Sequence, residues 1–314
     1  MSTLGRRDFI RSASLAAAVS ATGLSAAAEK PGKGSAEPGR DASADMQLGI
    51  IIEADDPEKG LERVKKLGFS TCELGLRNFS DEHAQRVKKA LAAAGVSPTA
   101  VISNGPGETR WNFYEGPRTI GLVPRTHRAE RMARLKQAVD FCVGAGIPAI
   151  NSHFGFIPED PNDPLYGEFI SAAHEVASYA KGHGILVRFE TGQETPVTLL
   201  RAITDIGTGN LGVNYDTANL ILYGKANPVD GLEVLGPHVQ SLHAKDGTYP
   251  TGPRDLGEET PIGQGWVDFP AVIRKLKKLG FKGHITIERE IEGEEQTRDI
   301  LASKDYLQNL IRTA

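Results

Sequence analysis

From Met46 onward the chain alternates short apolar runs with longer stretches in which charged and apolar residues recur at helical spacing. The apolar runs are QLGIIIE (47–53), STCELG (70–75), PTAVIS (98–103), PAINSH (148–153), ILVRFE (185–190), LGVNYD (211–216), VQSLHAK (239–245) and HITIERE (284–290). Between and after them the pattern predicts amphipathic helices over 57–67, 80–94, 125–145, 164–182, 195–205, 228–235, 268–280 and 294–312. Gly68, Gly95, Gly146, Gly184 and Gly280 stand where a helix must stop before the next strand. Eight strand–helix repeats in strict alternation predict an α/β fold, a single-domain (β/α)8 TIM barrel over residues 46–314.

In such a barrel the carboxyl ends of the strands converge on one mouth, so polar residues that close an apolar run acquire chemical meaning. Glu190, Asp216, His243 and Glu288 each close or lie within a run in the second half of the chain. Two Glu, one Asp and one His form a hard, oxygen-rich donor set for one divalent metal ion, suited to Mn²⁺ or Mg²⁺, with Zn²⁺ or Co²⁺ as alternatives. Glu290 shares the strand face of Glu288, one layer nearer the mouth, and competes with it as the ligand. Glu190 and Glu288 are also the candidate catalytic bases, against the plainer reading that both are ligands only.

Further residues face the same mouth. His153 ends the fourth run and is a candidate for substrate binding or acid–base work; Glu73, in the second, either binds substrate or supports a ligand. Strand alternation turns Lys245 to the same side as His243, where an ammonium would neutralise an oxyanion, and turns Arg188 to the side of Glu190 as its expected partner. Two connections are long, 104–124 and 246–267, and both follow strands. The first carries Arg110, Trp111, Phe113, Tyr114 and Arg118, among which Trp111 is the candidate wall of a sugar site.

Composition removes several classes. The chain has 314 residues, 39% hydrophobic and 24% charged, enough for a large core without disulfides, and its two cysteines, Cys72 and Cys142, read as buried thiols. A net charge of −4, with no basic stripe, excludes a nucleic-acid footprint, and only eight histidines argue against a multi-metal endonuclease. GTGNLG (207–212) matches a dinucleotide-binding pattern, but it precedes a strand where that motif must follow one. The amino-terminal Arg6-Arg7, then Phe9, then an Ala-rich stretch ending in Ser25-Ala26-Ala27-Ala28, predict a twin-arginine signal peptide over 1–28 and a Pro/Gly/Ser-rich linker over 29–45. The expected consequences are passage through the twin-arginine export machinery, a periplasmic or otherwise exported location, and no stable membrane insertion after cleavage.

The segments FETG (189–192), LHAKDG (242–247) followed by PIGQGWVDFP (261–270), and ITIERE (285–290) resemble the xylose isomerase-like TIM barrels of the sugar phosphate isomerase/epimerase group. The resemblance covers about residues 46–314. It implies one divalent ion held by Glu190, Asp216, His243 and Glu288. It also implies a substrate-binding position three residues after the Asp, which is His in the sugar epimerases and Asn219 here, and a nearby Arg, for which this chain offers Lys245 or Arg254. The expected activity is a metal-dependent sugar isomerase or epimerase that abstracts a proton beside a carbonyl and stabilises the enediolate. The alternatives are a metal-dependent lyase or hydratase on 3-keto-glycosides and a noncatalytic sugar-binding barrel. The expected partner is a small sugar or keto-sugar; the sequence sets no oligomeric state.

Overall fold

A computed structural model describes residues 46–314; the expected signal peptide and linker lie outside the described residues. Eight parallel strands close into a barrel in which every strand pairs with its neighbours in sequence, and the first pairs with the last. They are β1 (Gln47–Glu53), β2 (Thr71–Gly75), β3 (Ser97–Ile102), β4 (Ala149–Ser152), β5 (Leu186–Glu190), β6 (Leu211–Asp216), β7 (Val239–Ala244) and β8 (His284–Ile287). The outer ring is α1 (Pro57–Lys66), α2 (Asp81–Ala94), α3 (Arg128–Ala145), α4 (Pro164–Gly182), α5 (Pro196–Ile206), α6 (Pro228–Leu235), α7 (Phe269–Lys278) and α8 (Gly293–Thr313). Closure is set by register: Gln47 through Ile50 of β1 face His284 through Ile287 of β8.

The helices begin where local chemistry favours it. Asp163-Pro164, Thr195-Pro196 and Asn227-Pro228 each put a capping side chain before a proline, and each cap accepts a first-turn N–H. Ser80 caps α2, and Gly95 ends it in the left-handed conformation that glycine adopts without strain. Apolar residues on the outer strand faces, such as Ile50, Leu74, Val187 and Leu242, pack against the helices and are fully or almost fully buried. Cys72 and Cys142 belong to this layer as free thiols, and burial pushes the Cys72 thiol up to about 12.

The barrel's interior is polar. Ser241 donates to Asn214 (2.6 Å), and Arg188 donates to the Thr99 carbonyl and to Gln240, both at 3.2 Å. Arg188 therefore does not pair with Glu190: it shares that face but lies a layer deeper, where its guanidinium spans towards β3 and β7. Such internal pairing lets the barrel bury these groups without orphaning most of them.

Three features depart from the sequence pattern. β8 stops at Ile287; Glu288 N–H still reaches the Ala244 carbonyl of β7 (3.0 Å), and beyond it Glu290 N–H turns to the Glu259 carboxylate. A short helix, Thr217–Leu222, follows β6 directly. The long loops are partly ordered, with a helical turn at Gly116–Thr119 and a two-stranded antiparallel ribbon joining Asp246–Gly247 to Glu259–Thr260. Gly121 packs so closely on the Phe154 carbonyl that a Cβ would collide with it, and its φ of 70° suits glycine. No helix among the described residues is long and apolar enough to cross a membrane.

Candidate metal centre

Glu190 and Asp216 are the last residues of β5 and β6, His243 is the penultimate residue of β7, and Glu288 follows β8. One ligand atom from each lies within 4.8 Å of all the others, a spacing that fits a single ion. Glu190, Asp216 and His243 are at most 4% exposed, and the Glu288 side chain is 14% exposed on the mouth side. Glu290 is not in the cluster: its carboxylate is 60% exposed and pairs with Lys245 at 3.0 Å.

Each ligand is oriented by its neighbours. His243 Nε2 lies 2.8 Å from Glu73 Oε2, and the other Glu73 oxygen accepts from Asn151. That leaves His243 Nδ1 facing Glu190 Oε1 and Glu288 Oε2, both at 3.0 Å. Glu73 is thus completely buried, with one oxygen against His243 and the other against Asn151. Asp216 Oδ1 accepts from Asn219 N–H (2.7 Å) and so caps the short helix, while Thr191 Oγ1 both donates to the Asp216 carbonyl and accepts from its N–H, each at 2.9 Å. Asp216 Oδ2 is buried with no hydrogen bond, 4.0 Å from the Lys245 ammonium, and Glu288 Oε2 has only the His243 Nδ1 contact.

Electrostatics agree with a cation at this place. Burial, together with the nearby Glu288 and Glu190 charges, holds the Asp216 carboxyl well above the usual range despite Lys245. Burial acts the same way on Glu190 and Glu288. There the paired positive groups outweigh it: His153 and His243 hold Glu190 well below its ordinary value, and Lys245 and His243 bring Glu288 down to about 2. Three carboxylates in one buried shell, one of their oxygens without a hydrogen bond, fit a divalent ion chemically as well as in spacing.

The remaining candidates surround this shell. Lys245 is buried and sits 3.7 Å from Glu288 and 4.0 Å from Asp216; Asn219 stands beside it, with its Oδ1 3.5 Å from the ammonium. His153 Nε2 lies 3.4 Å from Glu190, and the Trp111 ring meets the His153 ring edge-on at 4.8 Å. Arg110 and Arg125 turn outward to Glu108 and Glu168, and Arg118 reaches only a backbone carbonyl of its own loop. Sequence reasoning missed Gln193, Glu194 and Tyr223. Gln193 Oε1 accepts from His153 Nδ1 (3.3 Å), and the Tyr223 ring meets Phe113 and Phe156 edge-on. Burial raises the Glu194 carboxyl to about 8. The run ETGQE, polar just after a ligand-bearing strand, was the available signal for Gln193 and Glu194; nothing marked Tyr223.

Residues 61–310 match the family model described as xylose isomerase-like TIM barrel. The structure is similar to a xylose isomerase domain protein from Planctomyces limnophilus, with a TM-score of 0.78 and 33% identity over 84% of this chain and 96% of that one. It is similar in fold to a D-tagatose 3-epimerase-like protein, with a TM-score of 0.68 and 21% identity over 85% and 97% of the two chains. In sequence it is 30% identical over 175 residues, 51% of its length, to the uncharacterized protein MJ1311 of Methanocaldococcus jannaschii; the match spans about half, 55%, of that relative.

Proposed function

Since the chain belongs to the xylose isomerase-like TIM barrel family, we propose that it is a divalent-metal-dependent sugar isomerase or epimerase. The observation that carries this reading is the buried shell of Glu190, Asp216, His243 and Glu288 at the barrel mouth, in which Asp216 Oδ2 makes no hydrogen bond. The donor set suits Mn²⁺ or Mg²⁺. Bound there, the ion would polarise a sugar carbonyl and its neighbouring hydroxyl and so acidify the intervening C–H.

The chain's own groups supply the proton chemistry. Glu190 ends β5 and Glu288 follows β8, and neighbouring positive groups hold both carboxylates below their ordinary range. Each carboxylate has two oxygens, so one can accept a proton from carbon while the other stays in the shell. Removal by one and return by the other inverts a stereocentre; return to the adjacent carbon isomerises. Lys245 keeps its proton, because burial is outweighed by Glu288 and Asp216, and its ammonium is placed to balance negative charge on a substrate oxygen. His153, Asn219 and Trp111 border the space above, with Gln193 behind His153.

The test is proton exchange in D₂O with the Mn²⁺-loaded protein against a panel of ketoses and 3-keto-glycosides, beside Glu190→Gln and Glu288→Gln. Deuterium uptake at the carbon beside the carbonyl, reduced by about 10²-fold or more in either variant, is the expected result. Uptake followed by release of an aglycone would make the protein a lyase on the same enolisation step. Sugar bound and recovered without deuterium would make it a binding barrel.

A further inference from the structure

The space at the mouth does not end at the metal shell. On the β1–β8 side a cavity of about 740 Å³ begins at Glu288, passes over Ile51 and Glu53, and opens between the start of α1 and the start of α8. Ile51 pairs in register with the inward-facing Glu73 of β2, which puts it on the barrel's inner face, and Glu288 is the member of the metal shell that the cleft shares. Sites of roughly 300–1,000 Å³ enclose ligands of drug size, so this volume exceeds what one sugar ring held at the ion requires.

The lining states the chemistry of the occupant. It carries six carboxylates and four cations; three of those cations are already engaged, and four of the carboxylates, Asp55, Asp56, Glu288 and Glu290, share ion pairs while keeping further lone pairs. Arg77 pairs with Asp55 (2.8 Å), Arg289 with Glu259 (3.0 Å) and Asp299 (2.8 Å), and Arg63 donates to Gln296 (2.7 Å). An anionic ligand would meet a net negative wall, whereas hydroxyl groups would find a row of acceptors. At the two borders neither Asp56 before α1 nor Glu292 before α8 caps its own helix, so the first-turn N–H groups are not taken up by those side chains. A neutral unit rich in hydroxyls, able to donate and accept, matches this lining.

We propose that the cleft is a subsite for a second unit: the substrate is a neutral glycoside, with its reacting keto-sugar at the metal shell and its attached sugar or polyhydroxylated aglycone between α1 and α8. The inference rests on the isomerase or epimerase reading and adds the substrate's size and charge. A phosphorylated monosaccharide is the substrate class it argues against.

Two measurements separate this inference from the reading beneath it. Calorimetric titration of the Mn²⁺-loaded protein with glucose, maltose, cellobiose and trehalose reads the cleft without turnover. At least one disaccharide is expected to bind on the order of tenfold more tightly than glucose. Lys59→Trp and Glu292→Trp fill the cleft from opposite sides at exposed positions; either is expected to erase that gain while leaving glucose affinity within about twofold. Disaccharides binding no better than glucose would overturn the proposal whether or not the variants fold, and so would a gain that survives in a folded variant. Deuterium exchange on 3-keto-glucose then reads the metal shell by itself. Exchange as efficient with 3-keto-glucose as with 3-keto-disaccharides sinks the cleft alone, and no exchange with any of them sinks the isomerase reading.

Discussion

His243 uses both ring nitrogens, and the division of labour is set from outside the ligand shell. With Nε2 committed to Glu73, Nδ1 is left for the shell, so Glu73 selects the tautomer as well as the ring's orientation. Glu73→Gln should therefore weaken Mn²⁺ binding by about 10- to 100-fold in titrations of chelator-treated protein, with the circular dichroism spectrum unchanged. An unaltered affinity would show that the pair is packing only. The four shell residues were legible in the sequence because each interrupts an apolar strand at or near its carboxyl end, a place where barrels put chemistry. The role of Glu73 was not, because β2 and β7 meet only across the closed barrel and no local pattern encodes that contact. Asn219 was legible as a place rather than a role: the residue three past Asp216 donates its backbone N–H to that ligand and lays its side chain against Lys245.

Among the elements, the loop after β7 is held by one side chain. Asp246 accepts backbone N–H bonds from Gly247 (2.8 Å), Gly263 (2.8 Å), Gly265 (3.1 Å) and Val267 (3.1 Å), which ties both ends of the loop to the mouth. Asp246→Asn turns an amide donor towards donors. Losing charge-assisted bonds of about 1.5–3 kcal/mol should speed amide exchange at Gly263 and Gly265 by about 10- to 100-fold. Between α4 and the segment entering α3, Glu168 accepts from Arg125 and Arg128. The Arg125 and Arg128 hydrogen bonds hold its carboxyl at about 2, below the unfolded value near 4.3. A depressed carboxylate adds stability above the unfolded pKa and loses it as pH falls through the folded one, so the contribution fades between about pH 4.3 and 2. Melting temperature measured down this range should fall less steeply in Glu168→Gln than in the parent. Sequence periodicity found all eight strands and all eight outer helices. It missed Thr217–Leu222 because TANLIL is uniformly buried, without an exposed face to reveal a helical period, and because its cap is the ligand Asp216 itself.

For the whole molecule, a shell built from β5, β6, β7 and β8 couples ion binding to the integrity of half the barrel. Mn²⁺ at a hundred times its dissociation constant should stabilise the fold by about 2.7 kcal/mol, which for a domain of this size raises the melting temperature by roughly 5 °C. Asp216→Asn should abolish most of that rise, and a melting temperature indifferent to Mn²⁺ in the parent would remove the metal centre. Alternation alone made the architecture legible, whereas the cleft beside β1 was not, since it arises where the first and last repeats meet. That meeting also gives the site a history. Glu288 arrives with the last strand, and Glu73 steadies His243 only once the second strand stands opposite the seventh. A divalent ion that needed both contacts would be a late guest, and its occupancy during refolding would serve as a clock for closure of the ring.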